Sequence, residues 1–168
     1  PKNAEKDLEL ISQPLDFYGQ NMYNAVPVRA DENGNPVRVD RYPGFPKTAI
    51  QWPVTPEVLY WAPKFLYERF YVTENGMSSH DWVSLDGKVH DASRVDFMHR
   101  YLREFKKAAA DGVDLRGYFA WSLMDNFEWA YGYSERFGMV YVDYQTQKRT
   151  VKDSGLFYKN VIASNGEI

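Results

Sequence analysis

Short apolar runs alternate along this chain with longer stretches in which apolar residues return every three or four positions. Residues 16–23 read as a strand leading into a loop. Over residues 55–69, Val58, Leu59, Ala62, Phe65 and Leu66 share one face of a helix. The helix leads into a short buried strand at 70–73 that ends at Asn75-Gly76. A second helix begins at Asp91, which can cap it, and carries Val95, Met98, Tyr101, Leu102, Phe105 and Ala109 at helical spacing until Gly112 stops it. Residues 117–122 form another buried strand, and residues 139–142 with 145–148 suggest a hairpin-like excursion. A last helix runs from about Ser154 to Ala163, just before Asn165-Gly166.

Strand followed by helix, three times over, is the pattern of parallel βα units. Polar and aromatic residues gather directly after each strand: Asn21 and Tyr23, then Glu74 and Asn75, then the segment 121–129. The carboxyl ends of parallel strands are where a βα barrel keeps its active site. Three units cannot close an eight-stranded barrel, which takes ~250 residues. A doubly wound sheet shares the pattern, but no Gly-rich phosphate loop follows any strand. No repeat, low-complexity tract or linker interrupts the chain, so residues 1–168 read as a single domain.

Composition narrows the classes further. The 168 residues are 44% hydrophobic, enough for one core, and the formal net charge of −3 comes without a long charged block. Nucleic acid and membrane surfaces are poor partners for such a chain. There is no cysteine, hence no disulfide framework or thiolate metal site, which fits a reducing cytoplasm. Residues 1–7 are charged and lack the apolar core of a signal peptide, and no apolar stretch is long enough to cross a bilayer. A cytoplasmic location is expected. Aromatics make up 17% of the chain, and many lie near turns. They can build cores and interfaces, or wall a site for the apolar face of a sugar ring.

Glu74 ends an apolar strand before Asn-Gly, a placement unlike that of a solvated surface acid. The run Tyr71-Val72-Thr73-Glu74-Asn75-Gly76 resembles the nucleophile motif of glycoside hydrolase family 1. Its partner follows in the family's order: Trp121-Ser122-Leu123-Met124-Asp125-Asn126-Phe127-Glu128-Trp129 is similar to the sugar-binding segment. Gly132-Tyr133-Ser134 and residues 136–143 continue the match, and residues 16–23 resemble the region of the sixth barrel strand. The likeness covers nearly the whole chain. It implies strands six to eight, with their helices, of a (β/α)8 TIM barrel: a C-terminal portion, incomplete on its own.

The resemblance also implies roles. Glu74 matches the nucleophile of a retaining, exo-acting β-glycosidase, most simply a β-glucosidase, and Tyr23 the tyrosine whose hydroxyl contacts it. Asn21 matches an asparagine near the sugar 2-hydroxyl. Glu128 matches the glutamate that grips the 4- and 6-hydroxyls, with Trp121 and Trp129 as that subsite's tryptophans and Phe137 lining it. Trp52 stands where the family places a platform for the leaving-group sugar. Family members acting on 6-phosphorylated sugars usually lack the glutamate at this position, so Glu128, with Glu135 nearby in sequence, implies an unphosphorylated β-glucoside, galactoside or fucoside. No cofactor or metal is implied.

These roles suit the chemistry. Glycoside cleavage passes through an oxocarbenium-like state, which a carboxylate below the anomeric carbon stabilises and can trap covalently. A carboxylate flanked by indoles accepts hydroxyl donors while the rings pack on the sugar's C–H face. Elsewhere the plainer reading stands. His80, His90 and His99 lack metal-like spacing and read as solvated or loop-capping residues. Lys106-Lys107 and the stretch from Arg149 to Lys152 read as exposed faces, and Asp125-Asn126 as a turn.

A retaining glycosidase needs a second carboxyl group roughly 5–5.5 Å from the first as acid and base. In the family it lies in an Asn-Glu-Pro motif, which does not occur in this chain. The isolated polypeptide is therefore expected to show little or no turnover. Its unpaired strand edges are expected to be met by an N-terminal companion portion of the barrel, by self-association or by rearrangement. A non-catalytic carbohydrate-binding or assembly role is the other reading that these residues allow.

Overall fold

The computed structural model describes residues 3–66 and 69–167. Along the chain these form α1 (Ala4–Ile11), β1 (Tyr18–Asn21), β2 (Val28–Ala30), β3 (Pro36–Arg38), α2 (Val58–Leu66), β4 (Arg69–Asn75), α3 (Ala92–Ala110), β5 (Asp114–Ala120), β6 (Val140–Val142), β7 (Arg149–Val151) and α4 (Asp153–Ala163). Strands β1, β4 and β5 make one parallel sheet in that order, while β2–β3 and β6–β7 are antiparallel hairpins. The three expected βα units are all present. α1 and the β2–β3 hairpin had no clear apolar rhythm to announce them; α1 buries none of its residues.

Alternation along the strands sends one set of side chains into the core. Phe70 and Val72 are fully buried against Leu59 of α2 and Phe97, Met98 and Tyr101 of α3. The Phe97 and Tyr101 rings stack with centroids 3.9 Å apart. The other face of the sheet carries Tyr71, Gly117 and Phe119, and Phe119 is 58% exposed. Among the described residues each outer strand has a neighbour on one side only, leaving edges of the kind that pair with further strands.

Register brings the strand ends together. Asn21 pairs with Glu74 and Asn75 with Ala120, so the three carboxyl ends lie side by side. Both ladders shift register there, between Gln20 and Asn21 and between Val72 and Asn75. Such irregularities re-aim side chains at the rim of a barrel.

Several element boundaries differ from the sequence reading. The helix expected over 55–69 is Val58–Leu66, with residues 67–68 outside the described ones. Residues 55–58 instead form a turn, because the Thr55 N–H donates to the Tyr101 hydroxyl and the Thr55 Oγ1 accepts the Ala25 N–H. Phe65 and Leu66 point outward, and Pro63 is buried in their place. On α3 the buried face is Arg94, Phe97, Met98, Tyr101, Leu102 and Ala108, rotated from the expected one by inclusion of an arginine. Asp91 precedes α3 as foreseen, but its carboxylate does not cap that helix; it accepts from the N–H and hydroxyl of Ser154 at the start of α4. The third sheet strand starts earlier than expected, at Asp114, and stops at Ala120.

Candidate active site

Glu74 is the penultimate residue of β4, where a strand side chain next to buried Asn75 has little freedom. The Tyr23 hydroxyl donates to Glu74 Oε2 at 2.7 Å. Burial first, then the bond to Glu74 and the charges of Glu74 and Glu128, push the Tyr23 phenol far above the usual tyrosine range. It therefore stays a neutral donor at any working pH.

Two chains of hydrogen bonds hold this pair. On one side the Tyr101 hydroxyl donates to Tyr23 C=O at 2.9 Å while accepting from Thr55 N–H. On the other, Asn75 Nδ2 donates to Met22 C=O at 2.7 Å, and Tyr118 donates to Asn75 Oδ1 at 2.6 Å. Backbone bonds from Met22 N–H to Glu74 C=O and from Trp121 N–H to Asn75 C=O complete the frame. Tyr101 and Tyr118 were missed as functional supports because they occupy apolar-periodic positions and read as core.

Gly76 explains itself sterically. A Cβ there would lie 1.8 Å from the Trp121 carbonyl oxygen, so only glycine lets the two strand ends approach. Gly76→Ala is expected to destabilise the fold by about 1–3 kcal/mol or more. It should also displace Trp121, read as a change in tryptophan fluorescence in excess of that from the loss of folded protein.

Trp121 leaves β5 and directs its indole Nε1–H to Glu128 Oε2 at 3.4 Å. Glu128 is 8% exposed. Burial raises its carboxyl above the ordinary glutamate range; the Trp121 bond opposes this, and the charges of Glu74 and Glu135 add to it. Trp129 follows at φ +43°, in the left-handed region that costs a non-glycine residue roughly 1–2 kcal/mol. A 3-10 turn, Trp129–Tyr131, holds it, closed by Glu128 N–H to Gly132 C=O at 2.6 Å. The Trp129 side chain stands at the rim, 78% exposed.

Tyr23, Trp52, Glu74, Trp121, Glu128 and Trp129 line one cleft of about 350 Å³, together with Ile50 and residues 130–131. Trp52 meets the Tyr23 ring edge-on at 5.0 Å between centroids. Its loop is docked on the chain after β4 by Ala49 and Ile50 N–H bonds to Ser78. Two expected residues, Phe137 and Asn21, adjoin these without lining the cleft of the described residues. Phe137 is buried beneath the wall, against the rings of Tyr23 and Trp52, rather than lining the cleft. Asn21 is exposed beside its register partner Glu74, and its Oδ1 accepts the Thr73 hydroxyl at 2.7 Å. Among the described residues no group of His, Cys, Asp and Glu could hold a metal.

The model of Glycosyl hydrolase family 1 matches residues 1–167. The chain belongs to glycosyl hydrolase family 1. The 1,4-beta-D-glucan glucohydrolase of Thermotoga neapolitana is 50% identical over 172 residues, which are 99% of this chain and 38% of that protein. Beta-glucosidase A of Thermotoga maritima is 47% identical with the same coverage, 99% and 38%. The solved beta-glucosidase from Thermotoga maritima in complex with glucoimidazole superposes with a TM-score of 0.88 at 47% identity, covering 99% of this chain and 38% of that one. The chain thus spans 38% of the length of these family 1 relatives, and its sheet is one part of a TIM barrel.

The same structure corrects two readings outside the cleft. Lys152, taken as part of an exposed face, is fully buried between Asp81 and Asp125. Asp125, taken as a turn residue, is buried as well and accepts from Lys152, Arg136, Gly138 N–H and Val142 N–H. Neither partner of Lys152 is near it in sequence, so no local signal could have found the cluster. His90 holds Asp153 and Asp86 at an exposed loop, as its loop-capping reading expects.

Proposed function

We propose that this chain is the nucleophile-bearing portion of a retaining exo-β-glucosidase acting on unphosphorylated β-glucosides by double displacement. The observation that carries it is the Tyr23–Glu74 hydrogen bond of 2.7 Å at the floor of a cleft walled by Trp52, Trp121 and Trp129. Glu74 attacks the anomeric carbon as the aglycone departs, and water later releases the sugar from the acylal ester. Tyr23, kept neutral by burial and by the charges of Glu74 and Glu128, orients the attacking carboxylate as a hydrogen-bond donor. Glu128 accepts sugar hydroxyls in the cleft, and the indoles of Trp121 and Trp129 face the ring. Trp52 lies toward the leaving group.

The acid and base carboxyl group comes from the remaining barrel, since the chain holds no Asn-Glu-Pro motif. Closure of the edges of β1 and β5 by that companion portion gives the working enzyme. The 168 residues alone are expected to hydrolyse no measurable aryl glucoside. With the barrel completed, a 2-deoxy-2-fluoro-β-glucoside bearing a dinitrophenolate leaving group is expected to label Glu74 stoichiometrically, read by peptide mass. Sugar binding without any label would point to the carbohydrate-binding role instead.

The raised Glu128 carboxyl carries a pH consequence. As an acid titrating above its ordinary range, it is the better acceptor at neutral pH and loses acceptor capacity on mild acidification. Affinity of the completed barrel for a neutral monosaccharide inhibitor is expected to fall as pH drops from neutral. Titration calorimetry of Glu128→Gln should show weaker binding overall, with that part of the pH dependence gone.

A further inference from the structure

Behind the cleft, six charged side chains form one unbroken line of alternating sign. Asp91 accepts from Arg94 Nη1, and Arg94 Nη2 reaches Asp81 at 2.7 Å. Lys152 Nζ bridges Asp81 at 2.6 Å and Asp125 at 2.8 Å, and Arg136 Nη1 donates to Asp125 at 2.5 Å. All but Arg136 are at most 2% exposed, and Arg136 is 16% exposed. Burying charges this way is costly, and apolar side chains of equal volume would often give a more stable wall. Stability alone does not account for the arrangement.

Its connections do. Arg94 Nε donates to Met77 C=O, just beyond Glu74, and Nη2 donates to Arg136 C=O at 2.7 Å. Asp125 accepts the N–H of Gly138 at 3.0 Å and of Val142 at 3.3 Å, so the carboxylate at the start of the loop 125–138 is a clasp that ties it to the loop's end and to the strand beyond. That loop carries Glu128, Trp129 and Phe137. A Cβ on Gly138 would lie 2.1 Å from Asp125 N and 2.7 Å from its Oδ1, so the glycine is what lets the clasp seat. Lys152 then joins the clasp to Asp81 and, through Arg94, to the chain leaving the strand of Glu74.

We propose that Lys152 and Asp125 are positioning residues that set the place of Glu128 relative to Glu74, and through it the selectivity for a sugar bearing a C6 hydroxymethyl group. The inference rests on the functional reading of Glu74 and Glu128. Neither Lys152 nor Asp125 lines the cleft of Glu74 and Glu128, so both act through the loop.

The test uses the completed barrel, with Lys152→Met and the isosteric Asp125→Asn. Rates are measured on an aryl β-glucoside and on the matching β-xyloside, which lacks the C6 group, and are normalised to active sites counted with the fluoroglucoside. Each variant is expected to lose about tenfold or more in kcat/KM on the glucoside beyond its loss on the xyloside. In a Glu128→Gln background, Lys152→Met should add no further selective loss. Normal labelling of Glu74 with an unchanged glucoside-to-xyloside ratio overturns this inference alone. Failure of Asp125→Asn to fold assigns the cluster to stability and overturns it too. Absence of label on Glu74 in the unsubstituted protein overturns the functional reading, and the inference with it.

Discussion

Glu74→Ala in the completed barrel is expected to lower turnover of an aryl β-glucoside by on the order of 10⁵-fold, the scale seen when a covalent nucleophile is removed. Binding should survive, because Glu128 and the indole walls are untouched. The void left below the anomeric carbon admits a small anion. Added azide should therefore attack that carbon as the aryl oxide leaves, giving the α-glucosyl azide, identified by the coupling of its anomeric proton. Full activity in Glu74→Ala, or a β-configured azide, would place the nucleophile elsewhere. Glu74→Gln should be similarly inactive while keeping an acceptor for the Tyr23 hydroxyl, so the loss cannot be laid to a displaced tyrosine.

Arg94→Met is expected to have the largest effect on stability, about 3–5 kcal/mol, because it strips one member from a buried ion cluster. Arg94 serves two carboxylates, Asp91 and Asp81, and two carbonyls, those of Met77 and Arg136. A methionine fills comparable space but leaves all four acceptors without that donor. Denaturant titration of the completed barrel, compared with the exposed control Arg100→Met, measures it. Among the described residues Arg100 pairs with Asp96 alone, on the surface of α3, where an ion pair contributes less than about 1 kcal/mol. Equal midpoints for the two variants would show that the cluster contributes no more than a surface pair.

The contrast between Arg94 and Arg100 also shows what local pattern can and cannot convey. Both lie on α3, six residues apart, and only the fold makes one a buried hub and the other a surface charge. Lys152 is a sharper case. It follows a short strand in a run of basic residues, where exposure is the natural reading, and its partners lie 27 and 71 residues away. Asn21 shows the same limit at the site: the motif around it resembles a binding segment, and only the fold sets it beside Glu74 with its Oδ1 accepting the Thr73 hydroxyl. The order of strands and helices was legible throughout because each unit's apolar rhythm is local. Helix ends were less so, since Thr55 and Asp91 spend their side chains on distant partners instead of on caps.

By itself the sequence determined that apolar runs end at Glu74 and Trp121, that glycine follows at position 76, and that carboxylates and indoles cluster after parallel strands. Those are consequences of alternation and chain order, which need no partner to be read. Only the tertiary structure decided which oxygen Tyr23 reaches, that Phe137 supports the cleft instead of lining it, and that a lysine stands buried between two aspartates. Each of these depends on register and on contacts between segments far apart in the chain, where a shift of one residue moves a side chain to the opposite face.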